Sequence, residues 1–230
     1  MNHVKQYCPE IYIMILDLKT VKVYLVSPGT GKYRPRLHAV FERLVDAGYK
    51  NIEFFRSIPA DNGSNSLTKT NIEIFKKEMN NDTPFIIIED DCQDYFKHDI
   101  LTIPDDTDAL YLGVANWVYP YSYETLGKGY HIREHTAEDH IDVDATVTRI
   151  RGMTSTHAVV YFSREYMRRF INSAQSLLDR GMCISLDLVF ATLQHSSNVY
   201  ALKKPIYYQD STLGGQEVFT RIVYNGVKYI

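Results

Sequence analysis

The 230-residue chain has few cysteines, no long hydrophobic run and almost no net charge. Its three cysteines form no pair at the spacing of zinc ligands, which argues against a zinc ribbon or a disulfide framework and favours a reducing compartment. The most apolar early run, residues 11–16, is far shorter than the roughly 20 residues of a membrane helix, and it lacks the cleavage pattern of a signal peptide. We therefore expect a cytoplasmic protein without a membrane span.

The composition indicates one globular domain covering residues 1–230. The chain is long enough to bury a sizeable core, and its 45% hydrophobic and 23% charged residues are ordinary for a globular protein. A formal net charge of -3 gives no general attraction to nucleic acid or to anionic membranes, so any basic site must be local. The sequence thus predicts no nucleic-acid partner.

Hydrophobic periodicity in the first half alternates between strand and helix. The pattern predicts strands at 11–16, 21–26, 51–55, 84–88 and 108–113, with helices at 35–48 and 67–79. Such alternation implies an α/β fold with a mostly parallel sheet flanked by helices. Ligands in these sheets lie beyond the carboxyl ends of the strands, so residues 27–36, 56–66 and 89–96 should share one edge.

The second half is less regular. Residues 114–140, rich in aromatic and glycine residues, read as a long loop of the kind that is usually functional or mobile. Beyond them the sequence predicts strands at 142–150 and 157–162, a helix between the caps Ser163 and Gly181, a helix at 185–194, and a C-terminal hairpin at Asn225-Gly226.

The segment "FIIIEDD", residues 85–91, runs an apolar strand into three consecutive carboxylates. Glu89 and Asp91 flank one residue, so both side chains can turn toward one point. Carboxylate oxygens are the ligands that Mg²⁺ and Mn²⁺ prefer, and Mg²⁺ sites often combine one or two carboxylates with phosphate oxygens. A strand that ends in a solvated acidic loop explains the same pattern, and the segment alone leaves the two readings open.

Other motifs are weaker. "VSPGTGKY" lacks the first glycine and the final Ser/Thr of a phosphate-binding loop. Lys32, Arg34 and Arg36 near that turn suit a diphosphate, and a solvated basic turn explains them equally well. "HIREH" matches the inverted zinc-protease signature, but no apolar stripe supports the helix that would pair His131 with His135. The D-x-D at residues 142–144 is explained by a half-buried strand.

Taken with its flanking segments, "FIIIEDD" resembles the acidic motif of GT-A fold glycosyltransferases. The similarity is strongest to the lipopolysaccharide-type and procollagen galactosyltransferase group, whose motif is commonly Glu-Asp-Asp. Further similar segments follow in matching order over residues 21–213: "SIPADNG", "SLTKTNIEIFKK", "GMTSTHAVVYFSREYMRRFI", "SLDLVF" and "KPIYYQDS". The chain departs from that group in the Asn62 between Asp61 and Gly63 and in the absence of a histidine early in the second helix.

The resemblance implies a GT-A, Rossmann-like fold and a hexosyltransferase-like activity toward a nucleoside diphosphate sugar, of which a uridine diphosphate (UDP) sugar is the first expectation. Asp91, with Glu89, would position Mn²⁺ or Mg²⁺, which neutralises charge on the leaving diphosphate. Asp90 is the third candidate ligand of the cation, with a contact to the ribose or a structural role as the alternatives. The implied donor-binding residues are Ser27, Asp61 and Lys69.

The resemblance also implies an acceptor site for a glycan or glycoconjugate. If the reaction inverts configuration, Asp187 is the candidate general base, with His157 as a weaker rival. An acidic residue at a helix N-terminus explains Asp187 equally simply. Trp117 and Tyr119 in the long loop offer flat faces to sugar rings, although they suit a lid or a satellite cluster as well.

Two alternatives remain at the level of sequence. The first is a non-catalytic module that binds a nucleotide sugar or a glycan on the same fold. The second is a zinc hydrolase that uses His131 and His135.

Overall fold

The computed structural model describes residues 12–94, 97–113, 117–118, 132–133, 140–154, 156–183, 185–209, 223–224 and 227–228. The helices are α1 (Tyr33–Asp46), α2 (Gly63–Glu78), α3 (Arg164–Asp179) and α4 (Leu186–Gln194), with a 3-10 turn at Leu18–Thr20. The strands of the first half are β1 (Ile13–Asp17), β2 (Lys22–Ser27), β3 (Ile52–Arg56), β4 (Phe85–Glu89), β5 (Cys92–Asp94), β6 (Ile100–Pro104) and β7 (Ala109–Tyr111). Those that follow are β8 (Trp117–Val118), β9 (Ile132–Arg133), β10 (His140–Asp142), β11 (Val147–Ile150), β12 (Ala158–Tyr161), β13 (Val199–Leu202), β14 (Tyr207–Gln209), β15 (Val223–Tyr224) and β16 (Val227–Lys228).

Eight of these strands form the central sheet, in the order β10-β11-β13-β7-β12-β4-β2-β3. β2, β3 and β4 pair in parallel, and so do β7 and β13. β12 enters antiparallel between β4 and β7, and β11 runs antiparallel to both of its neighbours. Every sheet strand except β11 and β12 therefore runs in one direction, which makes this a mixed α/β sheet that is mostly parallel in strand direction.

Both faces of the sheet are buried because the strands carry apolar residues at successive positions. Odd and even positions contribute to different cores, as the two-residue period of a strand requires. One core lies under α2, α3 and α4 and includes Tyr24, Phe85, Ile87, Tyr111, Val159, Tyr161, Phe170 and Phe190. The other lies under α1 and the β1–β6 ribbon and includes Leu16, Val23, Leu25, Leu44, Ile86, Ile88, Leu101, Ile103 and Val160.

Several expected helix ends are confirmed. Gly48 follows α1 with φ +93, and Tyr49 N donates to Leu44 O over 3.0 Å, which closes the helix through a residue that needs a left-handed backbone. The Ser163 hydroxyl accepts from Tyr166 N at the start of α3, and Gly181 follows that helix with φ +71. The expected carboxyl edge is also confirmed, because β2, β3 and β4 end side by side.

Two expectations change. Residues 142–150 are not one strand: β10 and β11 form an antiparallel pair, and the Asp144 carboxylate accepts from Thr146 N and Val147 N in the turn between them. A side chain that bonds to the backbone two residues on favours a turn over an extended chain. β1, moreover, pairs with β6 in a separate ribbon outside the central sheet.

The C-terminal hairpin stays a prediction. β15 and β16 pair antiparallel, with Tyr224 opposite Val227, but Asn225 and Gly226 lie outside the described residues. Within the part of the chain that the structure describes, no helix is long and apolar enough to cross a membrane.

Gly113 follows β7 closely and is in tight contact with two other segments of the chain. It forms an isolated parallel bridge with Tyr207, and His157 packs directly against it. A Cβ at this position would lie 2.0 Å from His157 Nε2 and 2.8 Å from the Tyr207 carbonyl oxygen. Both distances are shorter than any ordinary contact, so only glycine fits here without displacing its neighbours.

We predict that Gly113→Ala destabilises the protein by about 1–3 kcal/mol, because the added methyl group overpacks a buried site against backbone. Chemical denaturation measures the change. Gly63→Ala is the matched control, since a Cβ at Gly63 meets no atom within 4 Å, and its stability should stay within about 1 kcal/mol of the wild type. A Gly113→Ala variant as stable as the wild type would contradict the packing described.

Candidate active site

The acidic segment forms a buried turn at the carboxyl edge of the sheet. Glu89 ends β4, Cys92 begins β5, and Asp90 and Asp91 make the turn between the two strands. Asp90 is 4% exposed and Asp91 is 6% exposed. A solvated acidic loop would leave such carboxylates in water. Burying them instead requires compensating partners, because a desolvated charge is unfavourable unless it is paired.

Asp90 has a full set of partners. The buried Ser27 hydroxyl donates to its Oδ2, and Arg36 Nη2 lies 2.5 Å from its Oδ1. Ser27 Oγ in turn accepts from Gly29 N over 3.0 Å. Asp90 therefore ties the ends of β2 and β4 to the first turn of α1, as expected if this residue is structural. Burial raises the pKa of Asp90, while the hydrogen bond from Ser27 and the charge of Arg36 act to lower it.

Asp91 is only partly satisfied. Its Oδ2 accepts from Gln209 Nε2 over 2.9 Å and lies 3.3 Å from Arg36 Nη2. Its buried Oδ1 has no hydrogen-bond partner among the described residues. Burial raises the pKa of Asp91, and the bond from Gln209 and the charge of Arg36 oppose that rise. An unpaired buried carboxylate oxygen is unfavourable, and a proton, a hydrogen-bond donor or a cation would relieve it.

Glu89 lies among negative charges. Its backbone N–H donates to His157 O over 2.9 Å, which fixes the end of β4 against the chain that enters β12. Part of the side chain meets solvent, yet burial raises the pKa of the Glu89 carboxyl well above its ordinary value. Repulsion from Asp91, Asp187 and Asp90 raises it further, and Arg36 acts in the opposite direction.

Asp187 joins this cluster from the other half of the chain. It stands in the first turn of α4, and its Oδ1 accepts from Thr156 Oγ1 over 2.7 Å and from Thr156 N over 3.2 Å. Thr156 and His157 lie just before β12, whose Ala158 pairs with Ile88 of β4. The antiparallel β12 thereby carries the partner of Asp187 to the edge where the acidic turn lies. The position in the first helical turn also suits an acidic residue.

His157 is buried, at 1% exposure, with its ring against Gly113. Its carbonyl oxygen accepts from Glu89 N and, over 3.0 Å, from the Cys92 thiol, so its backbone supports both ends of the acidic turn. Burial lowers the pKa of His157 to about 4. The imidazole is therefore neutral at pH 7, and its burial keeps it from an acceptor hydroxyl, whereas Asp187 is partly exposed.

Of the three expected donor-binding residues, only Ser27 has a described contact with the acidic turn. Ser27 is buried and contacts Asp90, so it belongs to the site through that carboxylate. Asp61 is exposed after β3, and the residue that caps α2 is instead Asn62, which accepts from Asn65 N over 2.9 Å. Lys69 lies partly buried in α2. In the described part of the chain, neither Asp61 nor Lys69 has a hydrogen bond or ion pair with the acidic turn.

The acceptor residues stay predictions. Tyr119 lies outside the described residues, and for Trp117 the structure describes only the backbone, which pairs with Arg133. His131 and His135 of the zinc-protease pattern also lie outside them.

Sequence reasoning missed two residues of the site, Thr156 and Gln209. Both stand inside segments that resemble the glycosyltransferase pattern, at "GMTSTH" and "KPIYYQDS", but neither is acidic or basic. Gln209 ends β14, which pairs antiparallel with β5 and so places the amide beside Asp91. A neutral side chain whose role depends on a contact 118 residues away gives no local signal.

By themselves, the described residues do not form a complete metal site. Among the described residues no group of three or more His, Cys, Asp or Glu side chains is arranged to bind a metal ion. The donors that are present, Asp91 and Glu89, are hard oxygen ligands, and Asp91 Oδ1 lacks a partner. Mg²⁺ commonly takes one or two carboxylates and completes its shell with phosphate oxygens and water.

Comparisons with known proteins give little. No protein-family model matches the chain, and no curated protein matches its sequence. Among solved structures, the nucleoside-diphosphate-sugar pyrophosphorylase from Vibrio cholerae RC9 is similar over 78% of this chain and 72% of that chain, at 12% identity and a TM-score of 0.38.

The raised pKa of Glu89 has a consequence for stability. The folded protein binds this proton more tightly than the unfolded chain, whose carboxyl titrates near 4.5. Protonated Glu89 therefore favours folding below that pH, and the contribution is lost as the pH rises through the higher folded pKa.

We predict that Glu89→Gln raises the melting temperature by about 2–4 °C near pH 7 and by nothing near pH 4, because the amide removes a charge that three carboxylates repel. Melting curves across this pH range measure it. Glu53→Gln is the control with the opposite sign, since Lys77 and Lys22 lower the pKa of Glu53 and its charge stabilises the fold. A Glu89→Gln variant less stable than the wild type at neutral pH would contradict the charge arrangement.

Proposed function

We propose that this protein is a metal-dependent glycosyltransferase that moves a sugar from a nucleoside diphosphate sugar, with a UDP-sugar as the first expectation, to a hydroxyl of a glycan acceptor. The observation that carries the proposal is the buried acidic turn at the carboxyl edge of β4, with Asp187 close enough to repel Glu89. A protein does not bury a run of like charges for stability, so their gathering indicates a functional site. Ligands of such sheets bind at this edge.

In this proposal Asp91 and Glu89 hold Mn²⁺ or Mg²⁺ together with the donor diphosphate. When bound, the cation neutralises the charge that grows on the leaving diphosphate. Asp90 keeps the turn in place through Ser27 and Arg36, and Gln209 orients Asp91 through its Oδ2. The turn is therefore positioned before the donor arrives, which is what efficient charge stabilisation requires.

Asp187 is the proposed general base of an inverting displacement. The acceptor oxygen bonds to the anomeric carbon, the bond from that carbon to the diphosphate breaks, and the hydroxyl proton passes to Asp187. Thr156 holds one carboxylate oxygen of Asp187 through two hydrogen bonds, which fixes the orientation of the group.

One observation favours the alternative of a non-catalytic module. Arg36 already places a positive charge beside both Asp90 and Asp91. A site whose carboxylates are neutralised by the protein itself can bind a sugar nucleotide without performing transfer. Asp187 distinguishes the two functions: it is the general base of the transferase and has no catalytic role in the binding module.

We predict that UDP-sugars raise the melting temperature only when Mn²⁺ is present, by about 5–10 °C at a hundredfold excess over the Kd, because a ligand that binds the folded state stabilises it by mass action. Asp91→Asn should abolish this shift and leave the fold intact. Asp187→Asn should keep the shift and lower transfer by about 10²–10⁴-fold.

Asp105→Asn is the control, because Asp105 is exposed and lies outside the site. A shift that survives in Asp91→Asn would overturn the metal site. Binding by the wild type without transfer to any acceptor, and with Asp187→Asn unchanged in every respect, would favour the non-catalytic module.

A further inference from the structure

Arg36 is the cation of the acidic turn. It stands in the first turns of α1, and its side chain is only 14% exposed. One nitrogen, Nη2, lies 2.5 Å from Asp90 Oδ1 and 3.3 Å from Asp91 Oδ2, and the guanidinium lies over the Tyr33 ring at 5.3 Å. Among the described ion pairs, Arg36 alone reaches Asp90 and Asp91. Lys32 and Arg34 of the same segment are exposed.

This arrangement places Arg36 in competition with a divalent cation. Both would neutralise Asp91, and a guanidinium 3.3 Å from that carboxylate repels any cation that approaches its free Oδ1. The described carboxylates also offer too few ligands to hold a metal ion by themselves. A cation that arrives alone therefore meets repulsion and an incomplete coordination shell.

A bound nucleoside diphosphate would change both the repulsion by Arg36 and the incomplete coordination shell. Its phosphate oxygens complete the coordination shell of the cation. They also offer Arg36 a new partner, because the planar guanidinium fork matches phosphate as well as carboxylate geometry. Moving from Asp91 to a phosphate lets Arg36 keep an anionic partner while it frees the carboxylate for the cation.

We propose that Arg36 is a positioning residue that couples the two binding events: it keeps Asp91 neutralised in the absence of the donor and transfers to the diphosphate when the donor and the cation bind together. The inference rests on the proposed function, since it takes the nucleoside diphosphate and the divalent cation as ligands. By linkage, whatever factor UDP adds to the affinity for Mn²⁺, Mn²⁺ adds to the affinity for UDP.

The test measures Mn²⁺ affinity directly, by the electron paramagnetic resonance signal of free Mn²⁺, with and without saturating UDP. We expect the wild type to bind Mn²⁺ weakly alone and at least tenfold more tightly with UDP. Arg36→Gln should bind Mn²⁺ alone about tenfold more tightly than the wild type, because the competing charge is gone. In this variant UDP should improve the Mn²⁺ affinity by less than about threefold.

Arg180→Gln is the control, since it removes the same charge from an exposed position at the end of α3, outside the site. It should behave as the wild type within about twofold, which separates the contact with Asp91 from the loss of net charge. Arg36→Lys is the second variant in case Arg36→Gln does not fold. Lysine keeps the charge but not the fork, so Mn²⁺ affinity without UDP should match the wild type while the coupling to UDP falls.

Two results would overturn the proposal: Arg36→Gln binding Mn²⁺ alone no better than the wild type does, or Arg36→Lys retaining the full coupling. These failures are distinguishable from failure of the proposed function. If UDP does not bind to the wild type at all, the glycosyltransferase assignment fails, while the arm without UDP still reports whether Arg36 controls the cation affinity of Asp91.

Discussion

One constraint shapes the site: carboxylates that repel one another are held together at a buried turn. Glu89, Asp90 and Asp91 follow one another at the end of a buried strand, and Asp187 adds a fourth negative charge from the start of α4. Only one described cation, Arg36, forms ion pairs with this turn. Its neighbours are arranged to support it: Ser27 and Gln209 donate to the carboxylates, and the His157 carbonyl anchors both Glu89 N and the Cys92 thiol.

The residues around the acidic turn are well packed, and their packing offsets the unfavourable burial of the carboxylates. β4 is buried on both faces, and the antiparallel β12 holds it in register from Phe85 to Ile88. Beneath it, Phe75 makes edge contacts with Phe85 and Tyr161, and Phe190 stacks on Phe170 with ring centroids 4.2 Å apart. A rigid apolar support of this kind lets a protein keep unfavourable charges together where their chemistry is needed.

Much of the fold could be predicted from local pattern. The helices and the parallel strands β2, β3 and β4 follow from periodicity of a few residues, and the ends of α1 and α3 follow from Gly48 and Ser163, whose conformations are local. The place of β12 could not be predicted in this way, because its antiparallel position between β4 and β7 is decided by pairing between distant segments. The turn at Asp144 was missed because an alternating apolar pattern also occurs in a tight antiparallel pair.

The residues of the site also fall into two groups: those that the local sequence indicates and those that only contacts between distant segments reveal. The place of the acidic turn at the carboxyl edge could be predicted from "FIIIEDD", but its burial could not, since the segment fits a solvated loop equally well. The resemblance drew attention to Asp187, although nothing local connects it with Glu89. Thr156 and Gln209 could not be found, since each is a neutral residue whose role comes only from the carboxylate it contacts. Arg36 was visible as a charge near a strand end, but its pairing with Asp90 and Asp91 depends on how α1 packs beside β4.

A crystal structure with Mn²⁺ and UDP, in which anomalous scattering locates the metal, tests the proposed metal and diphosphate site most directly. We expect an anomalous peak about 2.1 Å from an Asp91 carboxylate oxygen and from diphosphate oxygens, with the Arg36 guanidinium on a phosphate. A cation bound elsewhere, or a diphosphate that lies away from the carboxyl ends of β2 and β4, would contradict it.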